Sequence, residues 1–325
     1  MIRHFMNLDH VLMVPERSVI RQAPHLPSFA DVLSAARRLD GIAIKTPLLN
    51  SPQLDKRLGF RLLVKAETLQ RTGSFKFRGA YNALVQLDPE QRRAGVVSYS
   101  SGNHAQGLAA AAQLLGISAT VVMPSDAPRM KAENTRSFGA EVVLYDRYLE
   151  DRVAIAEQIA AKRGALVIPS FDDPEIIAGQ GTLGLELAEQ AQAMGVNIDI
   201  AVMPCSGGGL TSGCAIALST KRPGIALYSA EPVGIDDMRC SLAAGERVSS
   251  DPDTRSVCDS LTTRTPGALT FAINRQLLAG GLAVSDSEVF RAMALAFSDF
   301  KLVVEPGGAA ALAAVVSEKL DLEGK

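Results

Sequence analysis

Tryptophan is absent from the 325 residues, and aromatics make up only 5% of the chain. A surface that stacks on exposed bases needs more π-faces than that. Lysine and arginine (33) do not outnumber aspartate and glutamate (35), so no basic excess exists to neutralise a phosphate backbone. Nucleic acid is therefore not the expected partner; a small molecule is. Cysteine is scarce, and Cys205, Cys214, Cys240 and Cys258 show neither CxxC spacing nor a nearby pair of histidines, which argues against structural zinc. They read as reduced thiols, mostly core filler. No apolar stretch is long enough to span a bilayer. At the amino end, Met1 to Gln22 mixes Arg3, His4, Asp9, His10, Glu16 and Arg17 among its apolar residues, which breaks any signal-peptide core. The expectation is a cytoplasmic protein, with these first residues packed on the surface or on a partner subunit.

What the chain does have is apolar mass, 47% of its residues, enough for a large core split over two domains. Short runs rich in Val and Ile recur at 61–64, 95–98, 119–123, 141–144, 165–168 and 198–203, and read as strands. Alanine-rich stretches with helical spacing lie between them, at 107–115, 151–162 and 182–194. Strands alternating with helices predict an α/β fold with mostly parallel sheets. Ligands in such folds sit beyond the carboxyl ends of the strands.

Two motifs fall at that edge, each after a predicted strand and before a predicted helix. One is the polar turn Ser100-Ser101-Gly102-Asn103-His104, suited to an anion such as a carboxylate. The other is Ser206-Gly207-Gly208-Gly209-Leu210, where three glycines let the backbone approach an anion closely. A helix starting near Leu210 would add unpaired N–H groups and a positive dipole end. A glycine triplet serves a flexible turn as readily. It fits neither the dinucleotide fingerprint nor the P-loop, so a monophosphate suits it better. A third motif, Thr72-Gly73-Ser74-Phe75-Lys76-Phe77-Arg78-Gly79-Ala80, holds a lysine between two phenylalanines. Most lysines are solvent-exposed. One in an apolar setting loses its proton and can form a Schiff base with an aldehyde.

Together these three motifs resemble the fold type II pyridoxal phosphate enzymes (tryptophan synthase β-like), within them the serine/threonine dehydratases and serine racemases. Ile177-Ala178-Gly179-Gln180-Gly181-Thr182 and Glu305-Pro306-Gly307-Gly308-Ala309 are similar to that family as well, and the match runs from about Pro47 to about Ala314. The resemblance implies two domains, each an open twisted mostly parallel sheet flanked by helices. Residues 1–94 with 173–325 would form a large cofactor-binding domain, and 95–172 a small mobile one. Lys76 would carry pyridoxal 5'-phosphate and shuttle the substrate's α-proton, with Phe75 against the ring. Asn103 would bond the ring hydroxyl, and Ser206, Gly207, Gly208, Gly209 and Leu210 would cradle the phosphate. Ser100, Ser101, Gly102 and His104 would grip the substrate carboxylate. Ser101 would also stand as acid/base opposite Lys76, as in the racemases. His104 has an alternative in a purely structural hydrogen bond.

The segment Glu231-Pro232-Val233-Gly234-Ile235-Asp236-Asp237 sets two carboxylates six residues apart around a glycine bend. By itself it is a solvated acidic turn. Its resemblance to the divalent-cation site of serine racemases implies Mg²⁺ (or Ca²⁺ or Mn²⁺) held by Glu231, the Ile235 carbonyl and Asp237. The chain also departs from the pattern. It reads Cys258-Asp259-Ser260 where many relatives have Ala-Asp-Gly, so Ser260 is expected to alter packing beside the cofactor. Serine racemases carry a substrate-proximal arginine near Arg152, but Arg147 and Arg152 read as ordinary helix-surface charges. Relatives continue past Leu320–Lys325 into a strand with Ser-Gly-Gly-Asn, whose serine meets the pyridine nitrogen. The sequence stops before it and leaves that partner open; no effector domain is expected.

The expected activity is a lyase that eliminates water from a 3-hydroxy amino acid, giving a 2-oxo acid and ammonia. Serine, threonine, hydroxyaspartate, phenylserine and a hydroxyectoine breakdown product are the candidates. Racemisation of the serine racemase type is one alternative, and a non-catalytic ligand-binding derivative of the fold is another. A homo-oligomer, dimer or tetramer, is expected.

Overall fold

The computed structural model describes residues 25–322, so the expectation for Met1–Gln22 lies outside it. The strands are β1 (Leu48–Asn50), β2 (Leu63–Lys65), β3 (Val96–Tyr99), β4 (Ala119–Pro124), β5 (Glu141–Tyr145), β6 (Leu166–Val167), β7 (Ile200–Pro204), β8 (Ala226–Pro232) and β9 (Gly280–Val284). Strands β2 to β7 follow the predicted Val/Ile runs, since β-branched residues pack well on a pleated surface, whereas β1, β8 and β9 lie outside those runs. Their pairing gives one parallel sheet in the order β5-β4-β3-β6 and a second in the order β7-β8-β9. All six residues of β4 are buried, as a central strand covered on both faces requires. The pair β1–β2 is antiparallel and forms a separate two-stranded ladder, a feature the alternation did not predict. The architecture is α/β, parallel sheets flanked by helices. Among the described residues no helix is long and apolar enough to cross a membrane.

Two helices start earlier than their periodicity predicts. The segment expected from 182 is the helix Pro174–Ala193, because Asp173 caps it by accepting from the N–H groups of Glu175 and Ile176, with Pro174 at the first position. The one expected from 107 is Asn103–Leu115, so Asn103 and His104 sit in its first turn rather than in a free loop.

The helices that position the site touch through glycine. A Cβ on Gly179 would stand 2.6 Å from the Cα of Gly79, on the helix Lys76–Val85. One on Gly213, in the helix Gly209–Lys221, would stand 2.5 Å from the Gly181 nitrogen. One on Gly184 would meet the Cys214 Cα at 2.9 Å. Pro174–Ala193 thus packs backbone to backbone against both neighbours. Beside this contact Arg78 is fully buried and bridges Glu67 at 2.8 Å and Glu186 at 2.7 Å. Glu186 also takes Lys65, at 2.6 Å.

Candidate active site

A cavity of about 850 Å³ opens where β3 and β7 end, the position a parallel sheet reserves for ligands. It is lined by Phe75 and Lys76, by Ser100, Ser101, Gly102, Asn103 and His104, and by Ser206, Gly207, Gly208, Gly209 and Leu210. The structure therefore brings together, around one space, every sequence-predicted cofactor and substrate residue. Glu231, Ile235 and Asp237 are not on its wall and lie together elsewhere.

Lys76 begins its helix, and its Nζ donates to the Ser170 carbonyl at 2.8 Å. The same nitrogen stands 5.4 Å from the Phe75 ring centroid. Burial lowers its pKa to about 8, with only Cys205 pulling the other way. Such an amine is neutral often enough to act as a nucleophile. Phe77, expected as part of its apolar setting, is instead fully buried in the core near Tyr81. One residue further along the helix turns the side chain to a different face. The apolar wall beside Lys76 is made by Phe75 and Phe171.

The glycine loop is held by its carbonyls. Gly207 O accepts from the Thr270 hydroxyl at 2.6 Å and from Gly267 N at 3.2 Å; Gly208 O accepts from the Thr211 hydroxyl at 2.8 Å. With these carbonyls fixed from behind, the unpaired first-turn N–H groups of Gly209–Lys221 are left for a ligand. Gly208 has φ +96°, and a Cβ there would meet the Thr270 hydroxyl oxygen at 2.9 Å. Ser206 accepts from Thr263 N at 3.2 Å, which ties the loop to the polar run after Ser260. Ser260 itself rests on Gly307, where any Cβ would overlap its hydroxyl.

On the opposite wall, Gly102 N donates to the Ser100 hydroxyl at 3.2 Å and shapes the turn. The Ser101 hydroxyl has no hydrogen-bond partner among the described residues. Asn103 Nδ2 donates to the Glu305 carboxylate. His104 is buried with no well-formed hydrogen bond at either ring nitrogen, and burial, then the nearby Lys76, push its pKa down to about 3 against a weaker pull from the Ile168 backbone. It is a neutral imidazole, so any grip on a carboxylate is a hydrogen bond rather than an ion pair.

Three further residues belong to the cavity, of which Lys131 alone had no signal in the sequence. Ser74 presents a buried hydroxyl with no partner. Arg152, expected as a plain surface charge, lines the mouth with its guanidinium 5.5 Å from the Tyr99 ring centroid. Lys131, distant in sequence, lies against Gly102.

The acidic segment is not the solvated turn its composition suggests. Glu231 is fully buried and accepts from Met238 N at 3.0 Å and Arg239 N at 2.9 Å. Both Asp237 oxygens are buried and unbonded, and burial raises its pKa to about 7. Burial and Asp237 raise that of Glu231 well above the carboxylate range. Two buried acids whose pKa values stay raised although Arg264 acts on Asp237 and Arg239 on Glu231 fit a cation. Among the described residues no three His, Cys, Asp or Glu side chains gather for a metal. A cation here would therefore need the Ile235 carbonyl and water besides the two carboxylates, a set that suits a hard divalent ion.

A buried, easily deprotonated lysine, an anion cradle at a helix start and a polar turn between two parallel sheets define a fold type II pyridoxal phosphate enzyme. The chain belongs to the family described as pyridoxal-phosphate dependent enzyme, which it matches over residues 39–325. It is 44% identical over 300 residues to an L-threo-3-hydroxyaspartate ammonia-lyase from a Pseudomonas species, covering 92% of each chain. It is 39% identical to a serine racemase from Schizosaccharomyces pombe, covering 92% of this chain and 91% of the other. Among solved structures, a threonine deaminase from T.th. superposes with a TM-score of 0.86 at 43% identity, over 91% of this chain and 95% of that one. The chain is thus a pyridoxal phosphate-dependent enzyme of the ammonia-lyase type, and its relatives act on small amino acids.

Proposed function

We propose that the preferred substrate is L-threo-3-hydroxyaspartate, from which the enzyme eliminates the β-hydroxyl and the α-proton as water; the released enamine then takes up water to give a 2-oxo acid and ammonia. The observation that carries the elimination is Lys76, an amine with a pKa of about 8 that shares one cavity with an anion cradle and a polar turn. When bound, the cofactor supplies an electron sink for charge developing at the substrate's α-carbon.

The protein's own groups do the rest. The loop Ser206–Leu210 holds the phosphate, Phe75 packs beside the ring, and Asn103 bonds the ring hydroxyl. Ser100, Ser101, Gly102 and neutral His104 fix the α-carboxylate. Holding that carboxylate would fix which group at Cα is presented to Lys76, and so which bond is broken. Lys76 Nζ then takes the α-proton. Arg152 at the cavity mouth supports an anionic substrate side chain, because a second carboxylate loses its water favourably only against a cation. Glu231, the Ile235 carbonyl and Asp237 hold a divalent cation away from the chemistry. Racemisation has one specific support, the unengaged Ser101 hydroxyl, which could return a proton to the opposite face. The same reading makes residues 95–172 a small mobile domain, and the protein cytoplasmic and a homo-oligomer.

The test is a panel of 3-hydroxy amino acids with 2-oxo acid release as readout. Hydroxyaspartate should be turned over with the highest kcat/KM. A panel in which serine or threonine is faster would overturn the substrate assignment, and one with no product at all would overturn the elimination.

A further inference from the structure

Lys131, on the helix Arg129–Ser137, reaches from one wall of the cavity to the other. Its Nζ lies 3.2 Å from the Asp259 carboxylate and 3.0 Å from that of Glu305. Among the ion pairs between described residues, these two are the ones that join residues 95–172 to the rest of the chain. The alkyl stem of Lys131 lies flat on Gly102, where any Cβ would overlap it. Glu305 is shared: one oxygen takes Lys131 and the other accepts from Asn103 Nδ2. A single carboxylate thus anchors both the helix behind the polar turn and the first residue after it. The Lys131 side chain is 15% exposed, so solvent screens these pairs only in part. Burial alone would weaken its charge, but Glu305 and Asp259 outweigh burial and raise its pKa, so the ammonium persists.

We infer that Lys131 is a positioning residue: its bridge to Glu305 and Asp259 sets the height of the Ser100–Asn103 turn over the cavity, and through Glu305 it aims the Asn103 amide. Nothing in this role requires Lys131 to touch the substrate. It rests on the reading that this cavity binds cofactor and amino acid together. The glycine at 102 belongs to the same device, because it alone lets the stem lie close enough for Nζ to reach both acids.

The holoenzyme carrying Lys131→Gln, Lys131→Arg, Glu305→Gln and the double change Lys131→Gln/Glu305→Gln tests this. Lys131→Gln should raise the substrate KM about tenfold, with a smaller effect on kcat, and weaken cofactor affinity in an absorbance titration. Lys131→Arg should recover most of both losses. The double variant should be little worse than either single one, since both break the same bridge. Rising salt should raise the wild-type KM more steeply than that of Lys131→Gln, in which only the screening of Arg152 remains. Unchanged KM and cofactor affinity in Lys131→Gln, or fully additive losses in the double variant, would overturn the inference. Should Lys131→Gln fail to fold, a salt-insensitive wild-type KM with normal cofactor affinity in Glu305→Gln overturns it equally. If the wild type releases no 2-oxo acid from any substrate, the elimination reading fails, yet the cofactor titrations still decide the role of Lys131.

Discussion

The pKa of Lys76 can be turned into a rate. Burial brings the amine from 10.5 to about 8, which near neutrality means about 300-fold more of the neutral, reactive form. At about pH 7.5 roughly a quarter of the apoprotein should carry an uncharged Nζ, against roughly one molecule in a thousand for an ordinary lysine. The measurement is the rate at which apoprotein captures pyridoxal phosphate, followed by absorbance across pH, with borohydride reduction and peptide mapping to locate the adduct. Capture should rise with pH and level off above about 8. The sign for stability follows from the same shift. Because the folded pKa lies below the unfolded one, the unfolded chain binds more protons between about 8 and 10.5, so this group favours folding increasingly as pH rises through that window. Lys76→Ala should abolish the borohydride adduct while leaving the fold intact. A capture rate still climbing beyond about pH 10, or an adduct on another lysine, would refute the reasoning.

Other outcomes follow from geometry already described. Gly208→Ala forces a side chain onto a left-handed residue and against Thr270; it should cost about 1–2 kcal/mol and weaken cofactor binding, as read by thermal midpoint and titration. The raised pKa of Asp237 means that stability should fall as pH rises from about 4 to about 7, by up to about 4 kcal/mol without a cation. Mg²⁺ should reverse that loss, whereas Asp237→Asn should flatten both the pH and the Mg²⁺ response in thermal melts. Arg78→Met leaves Glu67 largely buried without its cation and Glu186 with Lys65 alone, and should destabilise by about 3–5 kcal/mol in urea titration. Arg152→Gln should reduce the preference for hydroxyaspartate over serine about tenfold in kcat/KM.

The sheets were legible because Val and Ile runs such as 119–123 and 198–203 have no competing reading as surface helix, and their turns carry the ligand motifs. What the sequence hid has specific causes. The start of Pro174–Ala193 was obscured because Gly179 and Gly181 lower helix propensity, while the capping pair Asp173-Pro174 carries the real signal. Arg152 looked like surface because periodicity cannot say which helix face meets a cavity on another element. Lys131 was silent because its partners lie 128 and 174 residues away, and nothing local marks a lysine that closes a long loop. For the acidic segment, composition pointed to solvent and burial overruled it; only the resemblance to a cation site anticipated that.

The glycine contacts along Pro174–Ala193 have a consequence for molecular size. The lysine-bearing helix and the cradle helix are each pressed onto the same central rod at points where glycine backbone meets backbone, so the span from amine to phosphate pocket is a rigid length. A side-chain interface could relax through rotamers; backbone against backbone cannot. The enzyme is therefore a gauge. A cofactor analogue whose phosphate arm is one methylene longer should be refused by this scaffold even where every polar contact could still be made, and the same stiffness leaves substrate choice to be varied on the other wall alone.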